Sequence, residues 1–282
     1  MWKCNHDSGQ QTLMGMGESV EELVDKAILT LQTFAPKDRP YYGCFSGGKD
    51  SITIKEVARL ADVSVNWYYN QTTIDPPELV RFIRDVHPDV TWKKPEKNFF
   101  TAMLTNGFPT RRSRWCCKLY KERQNPIGET LILGVRAAES PRRKAAWKVV
   151  TYHTRTRTNA ISPILGWKDE DVWRFIRKTG IPYCSLYDEG FTRLGCIGCP
   201  MGRTSGRVKQ FKRWPGYEKA WKRAFRKIWE KRAGKPQRGG KEWFGSAKFK
   251  TWEELFDWWL SDDRPPGNGD DGGCQGVLDL WS

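Results

Sequence analysis

YYGCFSGGKDSITIKEVARL, residues 41–60, is the stretch that predicts the fold. Its aromatic beginning, Tyr41–Phe45, is typical of a buried strand, and apolar side chains at a helical period follow Ser51. Between them, residues 46–50 place two glycines, a lysine and an aspartate in one turn. Such a turn presents backbone N–H groups and the positive end of a helix to an anion. We therefore predict a phosphate-binding site here; the alternative is a glycine-rich turn without a catalytic role.

The turn differs from the phosphate-binding loop of P-loop NTPases. Residues 43–49 fit the pattern G-x-x-x-x-G-K, but Asp50 follows the lysine where that loop has a magnesium-binding Ser or Thr. The hexapeptide SGGKDS, residues 46–51, therefore does not complete that pattern.

Helical and extended patterns alternate along the part of the chain that precedes residue 200. The predicted helices beyond the opening stretch span residues 18–35, 78–86 and 167–180, and the predicted strands span residues 63–71, 90–92 and 128–135. This alternation predicts an α/β fold, a parallel twisted sheet with helices on both faces. Ligands of such sheets bind at the carboxyl ends of the strands. We therefore expect ligand-binding residues in the turn at 46–51, in the loop after Asn70 and in the loop after Val135.

The net charge of +15 is concentrated in one segment. Residues 201–250 contain seventeen Lys and Arg against three Glu, whereas residues 251–282 contain eight acidic residues and one Arg. A basic segment with interspersed Trp and Phe fits a polyanion such as nucleic acid. The alternative is that its aromatic face packs on the main domain and leaves a solvated basic face. We predict a nucleotide-binding domain with the cysteines (1–202), a basic Trp-rich helical extension (203–260) and a flexible acidic tail (261–282).

The apolar runs of the sequence indicate an intracellular, cytoplasmic protein without a membrane partner. No run approaches the ~18 apolar residues of a membrane span, and the first residues lack the apolar core of a signal peptide. In such a compartment, the eight cysteines favour metal or redox chemistry over a disulfide framework.

Two cysteine pairs are spaced for metal binding. Cys116 and Cys117 are adjacent, and Cys196 and Cys199 form a C-x-x-C. Four thiolates suit either zinc or an iron–sulfur cluster. Adjacent side chains diverge, which is awkward for a single zinc ion, whereas a cluster distributes its ligands over several irons. The residue types therefore favour a cluster and leave two alternatives, zinc and buried thiols without a ligand.

Four motifs follow one another in a characteristic order: SGGKDS, the RWCC at 114–117 with Lys121 close behind, GVRAAESPRR at 134–143, and GCIGCP at 195–200. In this order the chain resembles the phosphoadenylyl-sulfate (PAPS) reductase-like family of PP-loop ATP pyrophosphatases, the adenine nucleotide alpha hydrolases. That family includes cluster-bearing sulfonucleotide reductases and the ATP-using sulfurtransferase of DNA phosphorothioation. The resemblance covers about residues 40–202.

The resemblance implies roles for individual residues. Residues Ser46, Gly47, Gly48, Lys49, Asp50 and Ser51 would hold the phosphates of ATP, with Lys49 and Asp50 as the catalytic pair: Lys49 neutralises phosphate charge and Asp50 helps to hold Mg²⁺. Arg136 and Arg142 would bind phosphate or sulfate oxygens of the nucleotide. Cys116, Cys117, Cys196 and Cys199 would bind a 4Fe–4S cluster.

The function we expect is that of an ATP-dependent enzyme of sulfur chemistry, which adenylates an acceptor before sulfur transfer. Its partners would be ATP or an adenylyl-sulfate nucleotide, DNA or RNA bound through residues 203–250, and a sulfur donor or thiol reductant protein. Oligomerisation is compatible with the sequence.

Two alternatives remain open from the sequence. One is a phosphoadenylyl- or adenylyl-sulfate reductase that produces sulfite, which needs a tail nucleophile; Cys274 is the candidate. The other is a zinc-stabilised nucleic-acid-binding module whose PP-loop is vestigial.

Overall fold

A computed structural model describes residues 18–122, 127–153, 157–236, 242–261 and 263. The strands are β1 (Tyr41–Phe45), β2 (Val65–Asn70), β3 (Thr91–Lys93), β4 (Thr130–Ile132), β5 (Val150–His153) and β6 (Thr158–Ile161). The helices are α1 (Val20–Thr33), α2 (Lys49–Leu60), α3 (Pro77–Val86), α4 (Phe99–Asn106), α5 (Trp115–Cys117), α6 (Pro141–Ala146), α7 (Asp169–Thr179), α8 (Thr204–Arg213), α9 (Pro215–Arg232), α10 (Phe244–Lys248) and α11 (Trp252–Ser261). A π-helical turn at Lys118–Glu122 continues α5.

The strands form a six-stranded, mostly parallel sheet in the order β3-β2-β1-β4-β6-β5. β4 pairs in parallel with β1 and with β6. β5 pairs antiparallel with β6, because the connection between them, residues 154–157, is too short for a parallel crossover. The predicted α/β class is confirmed, with an antiparallel edge strand as the departure from an all-parallel sheet.

The chain divides into two compact units. Unit 1 contains residues 1–68, 86–91 and 127–184, and unit 2 contains residues 69–85, 92–126 and 185–282. The units are thus interleaved along the sequence. The division into 1–202, 203–260 and 261–282 rests on sequence character and stays a prediction; the last part lies outside the described residues except for 261 and 263.

Unit 1 places α1 and α2 around β1. A capping box fixes the start of α1, where the Ser19 hydroxyl accepts a hydrogen bond from the Glu22 N–H and the Glu22 carboxylate accepts one from the Ser19 N–H. The apolar side of α1 is buried through Leu23, Ala27 and Leu31. Burial of this stripe stabilises the helix, as its periodicity predicts.

Unit 2 has an aromatic core, which accounts for much of the abundant tryptophan. The rings of Trp221 in α9 and Trp259 in α11 stack with centroids 4.6 Å apart, and Trp221 also contacts Phe99 of α4 at 5.0 Å. Phe225 of α9 packs on Phe256 of α11. The predicted aromatic face of α9 is therefore buried in the core of unit 2, and the basic residues of the helix lie on its other side.

Of the helices that the structure describes, none is both long and apolar enough to cross a membrane.

Candidate functional site

The turn at residues 46–51 has the geometry that its glycines predict. Gly47 has φ +71°, a conformation that glycine adopts without strain. Gly48 is the N-cap of α2 and has no side chain to cover the helix end. The Ser51 hydroxyl donates to the Gly48 carbonyl at 2.8 Å, and the Ser46 hydroxyl donates to Ser51 Oγ at 3.3 Å. The start of α2 therefore presents a narrow, polar turn with the positive end of the helix dipole.

Two cations and two carboxylates meet beside this turn, all within unit 1. Arg136 Nε donates to Asp50 Oδ1 at 2.6 Å, and its Nη2 donates to Asp169 Oδ1 at 2.8 Å. Lys49 Nζ lies 3.1 Å from the same Asp169 oxygen and 3.8 Å from Asp50 Oδ2. The side chains of Lys49 and Arg136 are only 6% and 4% exposed, whereas that of Asp169 is 58% exposed. We call these four residues the ionic cluster.

A close backbone approach joins the loop after β4 to the start of α2. A β-carbon at Gly134 would lie 3.0 Å from the carbonyl carbon and oxygen of Asp50. The glycine of the GVR segment thus permits the contact that places Arg136 beside the turn at residues 46–51, which we call the phosphate turn after its predicted ligand.

The structure brings together most of the predicted nucleotide-site residues. Residues 46–51 form the turn, and Arg136 lies beside it. The Arg136 guanidinium is hydrogen-bonded to the carboxylates of Asp50 and Asp169 and does not point into solvent. The side chain of Arg142 lies outside the described part of the structure. Asp169 was not predicted; its position in the first turn of a helix that follows a strand was the available signal.

The four predicted cysteines line one cavity in unit 2. Cys116, Cys117, Cys196 and Cys199 surround it together with Lys121. Each of the four is a half-buried free thiol. Hence two motifs far apart in sequence are close together in the fold, as the metal-site prediction requires.

The thiols of the adjacent pair differ in acidity. A hydrogen bond from Cys116 lowers the pKa of Cys117 to about 5, with help from the charges of Lys121 and Arg114 and against the effect of burial. The same hydrogen bond, together with burial, raises the pKa of Cys116. Arg114 Nη2 donates to Cys117 Sγ at 3.5 Å. The pair therefore already contains one preferred thiolate, which is the state that binds metal.

A buried carboxylate supports the C-x-x-C side of the cavity. Asp75 Oδ2 accepts hydrogen bonds from the Tyr69 hydroxyl at 2.6 Å and from the Thr72 N–H at 2.9 Å. Cys196 Sγ donates to Thr72 Oγ1 at 3.4 Å and lies 4.0 Å from Asp75 Oδ1. Burial raises the pKa of Cys196 to about 12, against the charge of Lys121. Asp75 lies in the loop after Asn70, which was expected to contribute to the ligand crevice, but the sequence assigned it no role at the cysteines, because it belongs to neither cysteine motif.

The four thiols of the cavity are the donors that a metal centre requires. Among the described residues, no group of three His, Cys, Asp or Glu side chains is arranged to hold one metal ion. The four thiols instead surround one cavity. A cluster takes one thiolate per iron and spreads its ligands, so these residues fit such a group by chemistry.

Comparison with curated proteins gives relatives at low identity. Two uncharacterised proteins of Methanocaldococcus jannaschii are 28% and 29% identical, over 71% and 65% of this chain. The alignments cover 42% and 48% of those proteins, so the chain spans less than half of their length. An adenosine 5′-phosphosulfate reductase of Bacillus cereus is 23% identical, over 75% of this chain and 94% of that protein.

Comparison with solved structures finds a phosphoadenylyl-sulfate reductase of Candida auris in a phosphate complex. It is 16% identical and covers 64% of this chain and 97% of that chain, with a TM-score of 0.47.

The phosphoadenosine phosphosulfate reductase domain matches residues 41–201, more than half of the chain. The match begins at β1 and includes the phosphate turn, the ionic cluster and all four cysteines of the cavity. It agrees with the expectation of an enzyme of the PP-loop or sulfonucleotide reductase type. The chain belongs to the phosphoadenosine phosphosulfate reductase domain family.

Proposed function

We propose that the protein is a PP-loop enzyme of sulfur chemistry that binds ATP at the turn 46–51, adenylates an acceptor and releases pyrophosphate before sulfur transfer. The observation that carries the proposal is the intact phosphate turn, in which Gly47 and Gly48 open the start of α2 and Lys49 lies beside it. The acceptor oxygen attacks the α-phosphorus, and the bond to the β-phosphate oxygen breaks. A sulfur species then displaces AMP from the adenylated acceptor.

The residues of the turn act on the leaving pyrophosphate. Backbone N–H groups at the start of α2 and the Lys49 ammonium stabilise the negative charge that develops on its oxygens. Asp50 is the residue that would hold Mg²⁺, which would neutralise phosphate charge, and Arg136 positions Asp50 through their 2.6 Å hydrogen bond. Catalysis then comes from placement and charge stabilisation rather than from a protein nucleophile.

The cysteines of the cavity would hold a 4Fe–4S cluster. When bound, the cluster would supply redox or electrostatic chemistry to the sulfur-transfer half of the reaction. Cys117 is the more acidic thiol of its pair, since its pKa is lowered. The negative charge of a Cys196 thiolate raises the pKa of Lys121, so the Lys121 ammonium stays protonated and offsets thiolate charge in the cavity.

A second candidate function is sulfonucleotide reduction. The observation that favours it is the B. cereus adenosine 5′-phosphosulfate reductase, which is aligned over nearly its whole length. In this reaction a protein thiol attacks the sulfur of the sulfonucleotide, and AMP leaves from adenylyl sulfate or adenosine 3′,5′-bisphosphate from phosphoadenylyl sulfate. A thiol reductant then attacks the thiosulfonate, which releases sulfite and forms a disulfide. The candidate nucleophile Cys274 lies outside the described residues.

Nucleic acid is the acceptor class that the surface of unit 2 favours. The exposed side of α9 carries five basic residues: Lys219, Arg223, Arg226, Lys227 and Lys231. Base stacking has less support, because Trp214, Trp221, Trp243 and Trp259 are buried. We therefore infer contact through the phosphate backbone.

Two assays on anaerobically purified protein separate the candidate functions. The first follows pyrophosphate release from labelled ATP, with and without DNA or RNA. The second follows sulfite release from adenylyl sulfate and phosphoadenylyl sulfate with a thiol reductant. Our proposal expects pyrophosphate release that is lost in Lys49→Met, kept in the exposed-site control Lys37→Met and kept in Cys274→Ser.

The other readings give different results in the same experiment. Sulfite release that Cys274→Ser abolishes, without pyrophosphate release, would establish the reductase instead. Iron and acid-labile sulfide analysis, with visible absorption before and after dithionite, tests the cluster. A colourless protein that contains zinc and releases neither product would identify the vestigial nucleic-acid module.

A further inference from the structure

One carboxylate oxygen in the ionic cluster contacts both cations of the phosphate turn. Asp169 Oδ1 accepts a hydrogen bond from Arg136 Nη2 at 2.8 Å and lies 3.1 Å from Lys49 Nζ. A bridging oxygen between a guanidinium and an ammonium is the arrangement that a phosphate oxygen adopts at such a pair. Asp169 is therefore the chemical equivalent of a phosphate oxygen at this place.

The cations and this carboxylate differ in how firmly the fold holds them. Lys49 and Arg136 are almost completely buried, and Arg136 has a second anchor in the hydrogen bond from its Nε to Asp50. Asp169 is more than half exposed and begins α7. An incoming anion can displace the Asp169 side chain into solvent while Asp50 keeps Arg136 in place.

The charges of the ionic cluster also favour displacement of Asp169 by an incoming anion. Two cations and two carboxylates leave it formally neutral, so a polyphosphate that binds here gains little from net attraction until one carboxylate withdraws. Asp169 stays ionised: partial burial works to raise its pKa, but the hydrogen bond and charge of Lys49, with Arg136, hold the pKa below its usual value. Its negative charge is therefore present at neutral pH.

We propose that Asp169 is an internal counter-anion that holds Lys49 and Arg136 before the nucleotide arrives and is displaced by its phosphates. Asp169 is thus a positioning residue that sets the affinity of the phosphate turn. The inference rests on the proposed function, since it concerns the same site. It favours ligands with several phosphate charges over weakly charged anions, because only the former outcompete a tethered carboxylate.

Titration calorimetry with inorganic pyrophosphate tests the proposal on the wild-type protein, Asp169→Asn and Glu170→Gln. Glu170 is an exposed acid in the same first turn of α7, so its variant controls for loss of one negative charge. We expect Asp169→Asn to bind pyrophosphate about five-fold more tightly at low ionic strength. The gain should shrink in high salt, and Glu170→Gln should match the wild type.

Thermal denaturation provides a readout that separates displacement from a purely structural role. Without ligand, Asp169→Asn should unfold at a lower temperature, because two buried cations lose a partner. Added pyrophosphate should raise the unfolding temperature more in Asp169→Asn than in the wild type.

The possible outcomes are distinct. Equal or weaker pyrophosphate binding by Asp169→Asn, with wild-type binding intact, overturns the counter-anion and leaves the proposed phosphate site standing. Absence of binding in all three proteins overturns the proposed phosphate site, and this inference with it.

Discussion

A β-carbon at Gly198 would lie 2.7 Å from Trp221 Nε1 and 2.8 Å from Phe211 Cζ. The backbone there has φ +76°, so any other residue adds strain to the collision. Gly198 lies inside the C-x-x-C, and its N–H donates to Gln210 Oε1 at 2.9 Å. This single position therefore fixes the turn that aims Cys196 and Cys199 at the cavity.

Gly198→Ala should destabilise unit 2 by about 2–3 kcal/mol, because overpacking and backbone strain act together. It should also reduce the bound iron of anaerobically purified protein. Gly195→Ala is the matched control, since its β-carbon would have no neighbour within 4 Å. Thermal unfolding and iron analysis of the two variants check this; similar iron content in both would contradict a role of Gly198 in shaping the site.

The cavity thiols should be alkylated at separate pH values in the metal-free, reduced protein. The thiolate is the nucleophile, and the pKa is about 5 for Cys117 and about 12 for Cys196. We expect iodoacetamide to modify Cys117 near neutral pH, while Cys196 stays protected until strongly alkaline pH. Peptide mass spectrometry over a pH series measures both. Modification of the two thiols with the same pH dependence would exclude the asymmetry.

Among the elements, segments with a clear apolar pattern were predictable, and segments without one were not. The starts and ends of α1, α2 and α7 follow their apolar periods, and Gly180 ends α7 in a left-handed conformation as expected. β5 and β6 were missed, because VTYH and TNAI lack a continuous apolar run such as the one that marks LILGV at 131–135. The short helix α10 was not predicted as a separate element either.

The residues of the candidate sites also fall into two groups, those that belong to contiguous sequence motifs and those that only the fold brings together. SGGKDS and the cysteine motifs are contiguous in sequence, and their chemistry shows in the residues themselves. The ionic cluster and the Asp75 network are formed by partners from separate segments, which a single sequence does not bring together. The structure identifies Asp169 and Asp75 as site residues, because it places Asp169 beside Arg136 and Asp75 beside Cys196.

A contact between α2 and the segment 86–91 should make unit 1 sensitive to acid. Lys55 Nζ lies 3.1 Å from His87 Nδ1 and donates to Asp89 Oδ1 at 2.6 Å. Burial, with the charge of Lys55, lowers the pKa of His87 to about 4, and Asp89 opposes the shift. The folded protein thus keeps this imidazole neutral at pH values where the unfolded chain protonates it.

The free energy of unfolding should therefore decrease as the pH falls from about 6.5 to about 4. Above this window the imidazole is neutral in both states and the effect is absent. We expect a loss of about 1–2 kcal/mol after allowance for partial solvent exposure. Urea denaturation across the window, compared between the wild type and His87→Gln, measures it; identical pH profiles would show that His87 has no part.

On the scale of the whole molecule, charge is segregated along the chain. The segment 201–250 is strongly basic, and in unit 2 the helix α9 turns its apolar residues inward and its lysines and arginines outward. Such a surface binds polyanions with an affinity that falls steeply with salt.

Arg223→Glu/Lys227→Glu should weaken binding of single-stranded DNA or RNA by at least about ten-fold at low salt and flatten its salt dependence. Lys37→Glu/Lys94→Glu changes the net charge equally at exposed sites elsewhere and serves as the control. Fluorescence anisotropy over a salt series measures both. Equal weakening by the two variants would assign the attraction to overall charge rather than to α9.

Because units 1 and 2 alternate along the chain, no single breakpoint in the gene could transplant either one intact. The phosphate turn belongs to a unit assembled from three separated stretches, and the cysteine cavity to another assembled the same way. Recombination that exchanges one half of the coding sequence would break both. The phosphate turn and the cysteine cavity are consequently inherited together.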